Sequence, residues 1–349
     1  MATLCKPSVI LPDYVVTQDQ MIELMERFYA DNPNLERVVK MVRNTQIDKR
    51  HFVRPLEESI VHQGFEEQNN IYAREAKKLS KQAAQEALEN AQLTTDDIDM
   101  IIVTSCTGFL MPSLTAYLVN ELGLPSTTRQ VPIAQLGCAA GSSAINRAHD
   151  FCLAYGNVNV LIVSVELCSL CFQPTDGHIG PMLSSALFGD GVSACVMRGL
   201  GGTGFKLEAN ATFGLPNTEH YIAYDVKNTG FHFRLDKEIL NSIEPTTPAM
   251  KGFVNQQGEN ISKLDFYIFH TGGRKILNEI VKNLSIDEQL INESRASLAE
   301  SGNLASVVVF DVLKRTFENN RPKHNDKGFL AAFGPGFIAE MSIGSWSEA

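Results

Sequence analysis

The chain lacks any excess of basic residues: 30 Lys and Arg against 40 Asp and Glu leave a formal charge of −10 over 349 residues. Polyphosphate backbones are held by concentrated cations, so this balance argues against a general nucleic-acid surface while leaving room for a local basic patch. The opening residues, MATLCKPSVILPDYVV, lack the basic segment followed by an unbroken apolar run that marks a secretory signal, and no later run is long enough to span a bilayer. A cytoplasmic protein is expected. The seven cysteines are odd in number and widely spread, which argues against a disulfide framework and for reduced thiols. Cys168 and Cys171 form a CxxC pair, but there is no second CxxC and no HxxxH to complete a shell, so no metal site is expected. Charged residues are only 20% and hydrophobic ones 44%, which leaves little room for disorder.

The apolar residues that are present alternate between helical and strand patterns. Thr17 and Gln20 have the spacing of a capping box ahead of a face formed by Met21, Leu24, Met25 and Phe28. A second amphipathic helix is expected through Ile71, Ala76, Leu79, Ala83, Ala87 and Ala91, and it gives way to the short apolar run Met100–Val103. Val158–Val165, Leu264–Phe269 and Gly328–Phe333 read as further strands buried on both faces, with helical segments at Ser142–Tyr155 and Leu304–Phe317. The class is α/β. The Gly-rich stretch Arg198–Gly204 punctuates the middle, placing the boundary between two halves at 1–200 and 201–349.

Three polar residues stand where chemistry is plausible. Cys138, in PIAQLGCAAG, ends an apolar run and leads into a helical pattern, so unpaired helix amides would favour a thiolate; an inert core cysteine is the alternative. His270 ends an apolar strand and is followed by Thr271-Gly272-Gly273, the position in α/β folds where ligands meet side chains; a hydrogen-bonded strand-end histidine is the alternative. Asn303 precedes the apolar helix that begins near Val307, where a helix cap is its plain role.

The motifs QLGCAAG, FHTGGRKIL, SGNLAS and FGPGF, in that order over most of the chain, resemble those of the type III polyketide synthases, relatives of chalcone synthase. The resemblance implies a homodimer with a thiolase-like layered α/β/α/β/α fold of two pseudo-duplicated halves, the first carrying Cys138 as nucleophile and the second His270 and Asn303 as donors to the thioester oxygen. It implies malonyl-CoA as substrate, and neither metal nor flavin as cofactor. It also implies Phe188 and Phe233 as gatekeepers, and Cys106, Cys168, Cys171, Tyr224 and Ala305 as cavity residues; core packing is the alternative for the aromatics and cysteines. Met111 matches a residue that reaches into the partner's cavity. Arg37 and Lys40 match basic contacts to CoA, with Asn44 at a third position where Arg43 is a candidate replacement; a solvated helix face is the alternative.

Tyr224 stands where chalcone synthases have glycine, and Cys106 where they have threonine, so the resemblance points to bacterial enzymes that start as well as extend with malonyl-CoA. FHTGGRKIL, ASVVVFDVLKR and AAFGPGF are most similar to phloroglucinol synthases, whereas MATLC, INRAHDFC and NVLIVS are more similar to tetrahydroxynaphthalene synthases. The C-terminal match and the lack of a long C-terminal extension favour phloroglucinol, with long-chain pyrones as a side activity. The rival classes are a ketoacyl-carrier-protein synthase III-like enzyme, a cysteine protease and a non-catalytic scaffold.

Overall fold

The computed structural model describes residues 1–348. Its main sheet has ten strands and mixed direction. From one edge it runs Phe266–Phe269, Lys327–Gly334, Ile338–Ser347, Gly204–Gly214, Ala2–Leu4, Asp190–Arg198, Asn159–Leu167, Met100–Ser105 and Arg129–Ala134, with Ser8–Ile10 also paired to Asp190–Arg198. The short strand Ala2–Leu4 joins the halves, pairing Thr3 with Arg198 on one side and with Lys206 on the other. The Gly-rich stretch is the connection between those two flanking strands.

Alternation of side chains along the strands builds the layers. Ile102 and Ile162 from the first half, and Ile268 and Leu330 from the second, face one shared core that also holds Ala144, Ile145, Val309 and Phe310. Their neighbours Ile101, Leu161 and Val163 face the opposite way, against Ile71, Ala83 and Leu118 of the helices Phe65–Ala91 and Leu114–Leu122. Tyr267, Phe269 and Phe329 likewise pack against Met250 and Leu277 of Ile243–Gln256 and Arg274–Leu284. Two outer helix layers, two strand layers and a shared central layer give the expected five-layered arrangement. Both faces of the strands are covered, which is why their sequences are continuous apolar runs.

The central layer consists of Ala140–Tyr155 and Val308–Asn319. They meet where a side chain at Gly141 would run into the backbone carbonyl of Ser306, so the crossing tolerates only glycine there. A smaller cluster, with Met21, Met25, Val38, Val42 and Phe52, packs separately against Met182 and Ala186. The capping box at Thr17 and Gln20 is present, and the helix it opens runs Gln18–Phe28. No helix among the described residues is long and apolar enough to cross a membrane.

Most expected elements form, with shifted ends. The segment expected as a helix from Leu304 begins instead as a 3₁₀ turn, Ala305–Val307, and becomes α-helical only at Val308. Ala305 adopts φ 49°, a left-handed conformation incompatible with a regular first turn. The strand expected from Leu264 starts at Phe266, because Asp265 is drawn into bonds with Lys327 at the sheet's edge.

Candidate active site

Cys138 lies in a 3₁₀ turn, Gly137–Ala139, directly ahead of the central helix Ala140–Tyr155. Gly137 has φ 54°, and a Cβ there would meet the ring of Pro335 at 2.6 Å. The FGPGF segment is therefore packed against the nucleophile loop, and glycine permits that contact. His270 follows the strand Phe266–Phe269, its amide still bonded to the Ala331 carbonyl at 3.0 Å. Asn303 lies between the helix Asn292–Ser301 and the turn that opens the second central helix. Each central helix thus begins beside one of the polar groups.

These groups converge on one cavity of about 750 Å³, lined by Cys138, His270 and Asn303 and otherwise predominantly apolar. Asn303 Oδ1 accepts the Ala305 amide at 2.9 Å and lies 3.3 Å from His270 Nε2. With Oδ1 held in these contacts, the Asn303 amide nitrogen faces Cys138, to which it donates. The capping role and a donor role coexist in one side chain. His270 Nδ1 is buried and has no partner among the described residues.

Burial opposes charge on both reacting groups. The Cys138 thiol is pushed up to about 12, by desolvation and then by Glu166, against an opposing hydrogen bond from Asn303. Desolvation pushes the His270 imidazole down to about 4. Desolvation thus opposes the thiolate that the helix terminus favours.

Glu166 is fully buried and was not apparent as a site residue from the sequence. Its Oε1 accepts from Ser306 Oγ at 2.6 Å, and its Oε2 from the Thr107 hydroxyl at 3.1 Å, the Cys106 amide at 3.2 Å and the Cys106 thiol at 3.4 Å. Desolvation pushes its carboxyl up to about 7 despite these bonds. A carboxyl whose folded value exceeds its unfolded one stabilises the fold most below the unfolded value, and that contribution is lost as pH rises toward the folded value. From pH 5 to 7.5, Glu166→Gln is therefore expected to gain about 2 kcal/mol of stability relative to the parent. Denaturant unfolding of both proteins at the two pH values checks this, and a constant difference between them would show that Glu166 does not titrate in that range.

Of the remaining expected cavity residues, Cys106, Cys168, Cys171, Phe188, Tyr224, Phe233 and Ala305 all line the cavity. Tyr224 and Phe233 are cross-strand partners in the hairpin Ile222–Lys227 and Gly230–Leu235. Tyr224 meets Phe233 edge-on at 5.5 Å between ring centres, and Phe233 meets Phe188 at 5.4 Å. Met111 does not line this cavity; it stands 87% exposed beside the exposed Phe109. Arg37 and Lys40 are exposed on the helix Leu35–Arg43. Neither lines the cavity, whereas Asn44, Arg274 and Lys275 do. Arg43 turns toward Asp19, at 4.0 Å.

The chalcone and stilbene synthase family matches this chain in two pieces, its N-terminal domain over residues 1–200 and its C-terminal domain over residues 206–344. The 1,3,6,8-tetrahydroxynaphthalene synthase of Streptomyces coelicolor is 52% identical over 349 residues, spanning 100% of this chain and 93% of that protein. The phloroglucinol synthase of Pseudomonas fluorescens is also 52% identical, spanning 99% of this chain and 100% of its own length. The crystal structure of the S. coelicolor tetrahydroxynaphthalene synthase, a bacterial type III polyketide synthase, covers 100% of both chains with a TM-score of 0.98 and 51% identity. The fold is that of a thiolase-like acyltransferase. The chain belongs to the chalcone and stilbene synthase family and is a type III polyketide synthase.

Proposed function

We propose that this synthase uses malonyl-CoA as both starter and extender and cyclises three units to phloroglucinol. Cys138 attacks the starter thioester while its proton passes to the departing CoA sulfur, and His270, with its hydrogen on Nε2, and Asn303 donate to the thioester oxygen. A second malonyl-CoA loses CO₂, and the electron pair of the broken C–C bond becomes an enolate. Donors from His270 and Asn303 stabilise its oxygen. The enolate attacks the Cys138 thioester, the thiolate leaves, and the lengthened chain departs on CoA to be reloaded. The starter's remaining carboxyl leaves as CO₂, and the carbanion it generates closes the ring on the Cys138 thioester and expels the thiolate.

The observation that carries malonyl priming is the run of edge-on rings from Phe188 through Phe233 to Tyr224, which occupies wall space an aromatic starter would need. A pentaketide reading, ending in tetrahydroxynaphthalene, is favoured by the cavity's extent, because it continues past these rings to Met21, Leu24 and Leu56. Mass spectrometry of products from the purified protein with malonyl-CoA alone separates the two by carbon count. Turnover only with a malonylated carrier protein would overturn both.

The same reading divides the chain into halves at 1–200 and 201–349, one supplying the nucleophile and the other the donors. It places Arg274 and Lys275 at the CoA entrance, with Arg37 and Lys40 reached by the nucleotide phosphates outside it. The exposed Phe109 and Met111 support a homodimer in which this loop docks on a second copy.

A further inference from the structure

Arg50, on the strand Lys49–Phe52, is completely buried. Among the described residues no carboxylate pairs with it, and both Nε and Nη1 have no partner. A guanidinium held in this way costs desolvation that a surface position would avoid. Its bonds all run through Nη2, which donates to Gln18 Oε1 and, at 2.7 Å, to the Ala186 carbonyl. Ala186 lies two residues before Phe188.

The Arg50 stem packs under a junction of two loops. A Cβ on Gly189 would lie 3.1 Å from Arg50 Cβ, and one on Gly302 would lie 3.6 Å from it. Those glycines flank the bridge between Phe188 and Asn303, closed by the Asn303 amide to Leu187 at 2.9 Å and the Gly189 amide to Asn303 at 3.0 Å. The helix Asn292–Ser301 ends at the same junction. On the other side, Gln18 carries the linkage to Thr45 Oγ1 at 2.8 Å, and Thr45 lines the cavity beside Asn44.

We infer that Arg50 is a positioning residue for the condensation: through Ala186 and the Phe188–Asn303 bridge it sets the spacing between the Phe188 ring, the Asn303 amide and the segment at the cavity entrance. This rests on the polyketide reading of the site. An amide donor displaced by a fraction of an ångström loses transition-state stabilisation while substrate still binds.

The experiment compares the parent with Arg50→Met, which keeps the stem, and Arg50→Lys, which keeps the charge and can reach only one acceptor. All are assayed with malonyl-CoA well below their melting temperatures. For Arg50→Met, kcat is expected to fall at least about 10-fold with KM changed less than about threefold, and the product mixture to shift from phloroglucinol toward the triketide lactone. Arg50→Lys should restore part of kcat, and Cys138 alkylation by iodoacetamide should proceed at the parent rate in both. If Arg50→Met does not fold, Gln18→Met removes one of the two acceptors and is expected to show the same split at smaller size. Parent-like kcat and products in the folded variants overturn the inference, as does loss of Cys138 alkylation in step with turnover. A parent that fails to turn over malonyl-CoA overturns the polyketide reading itself, and this inference with it.

Discussion

Cys138→Ala is expected to abolish polyketide formation, with a fall of at least about 10⁴-fold that leaves at most decarboxylation. Of the four thiols that line the cavity, Cys138 is the one at the head of a central helix and within bonding reach of Asn303, where it can carry the acyl chain between condensations. Its replacement removes a single sulfur at the cavity wall, so the melting temperature should stay within a few degrees of the parent. Cys138→Gln divides the chemistry further. Its side-chain amide occupies the place of the thioester, and His270 and Asn303 remain to stabilise an enolate, so CO₂ release from malonyl-CoA should continue without chain growth. Trapping of radiolabelled CO₂ beside product chromatography reads both steps. Polyketide formation by Cys138→Ala at the parent rate would remove the thiol from the mechanism, and loss of CO₂ release from folded Cys138→Gln would remove the donors' independent role.

The four strands expected from the sequence were legible because they are buried on both faces: LIVSV and FLAAF leave little other place for such runs, unlike the half-exposed Gly204–Gly214 and the hairpin Ile222–Lys227 and Gly230–Leu235. The ends of elements were less so, since they depend on side chains far away in sequence, as where Asp265 pairs with Lys327. Motif resemblance singled out Cys138, His270 and Asn303, but not that Asn303 Oδ1 is committed to the Ala305 amide, which orients its nitrogen as a donor toward Cys138. The desolvation that opposes a thiolate was hidden for a different reason. A helix terminus is a local feature and reads from sequence, whereas desolvation depends on everything packed around the group. Glu166 had left a signal, a carboxylate inside an apolar strand, and its partners Thr107 and Ser306 became visible only in three dimensions. Arg50 had left none. In DKRHFVR it resembles its exposed neighbour Lys49, and its burial is produced by segments around positions 18, 186 and 302 that meet only in the folded chain.

Tyr224→Gly is expected to change starter choice, admitting medium-chain or aromatic acyl-CoA starters at the expense of malonyl priming. The ring is half-buried and faces the cavity, touching Phe231 at 5.4 Å and Phe233 at 5.5 Å between centres. Its hydroxyl meets the Cys171 thiol, which also bonds the Thr107 carbonyl at 3.5 Å, so the side chain is fixed at both ends. Removing it opens the wall beside the nucleophile and frees Phe233 from one of its two edge contacts, enlarging the space from two directions. Because the ring already borders a cavity, truncation should cost less than the roughly 3 to 5 kcal/mol of a fully enclosed aromatic, with a further contribution of about 1 kcal/mol from glycine in a strand. Competition between malonyl-CoA and hexanoyl-CoA, with melting measured on the same preparation, separates space from stability. A preference moved at least about 10-fold toward hexanoyl-CoA, with a modest fall in melting temperature, is the outcome expected of a steric filter. A large fall in melting temperature with unchanged preference would make Tyr224 a packing residue and remove the ring run as the argument for malonyl as starter.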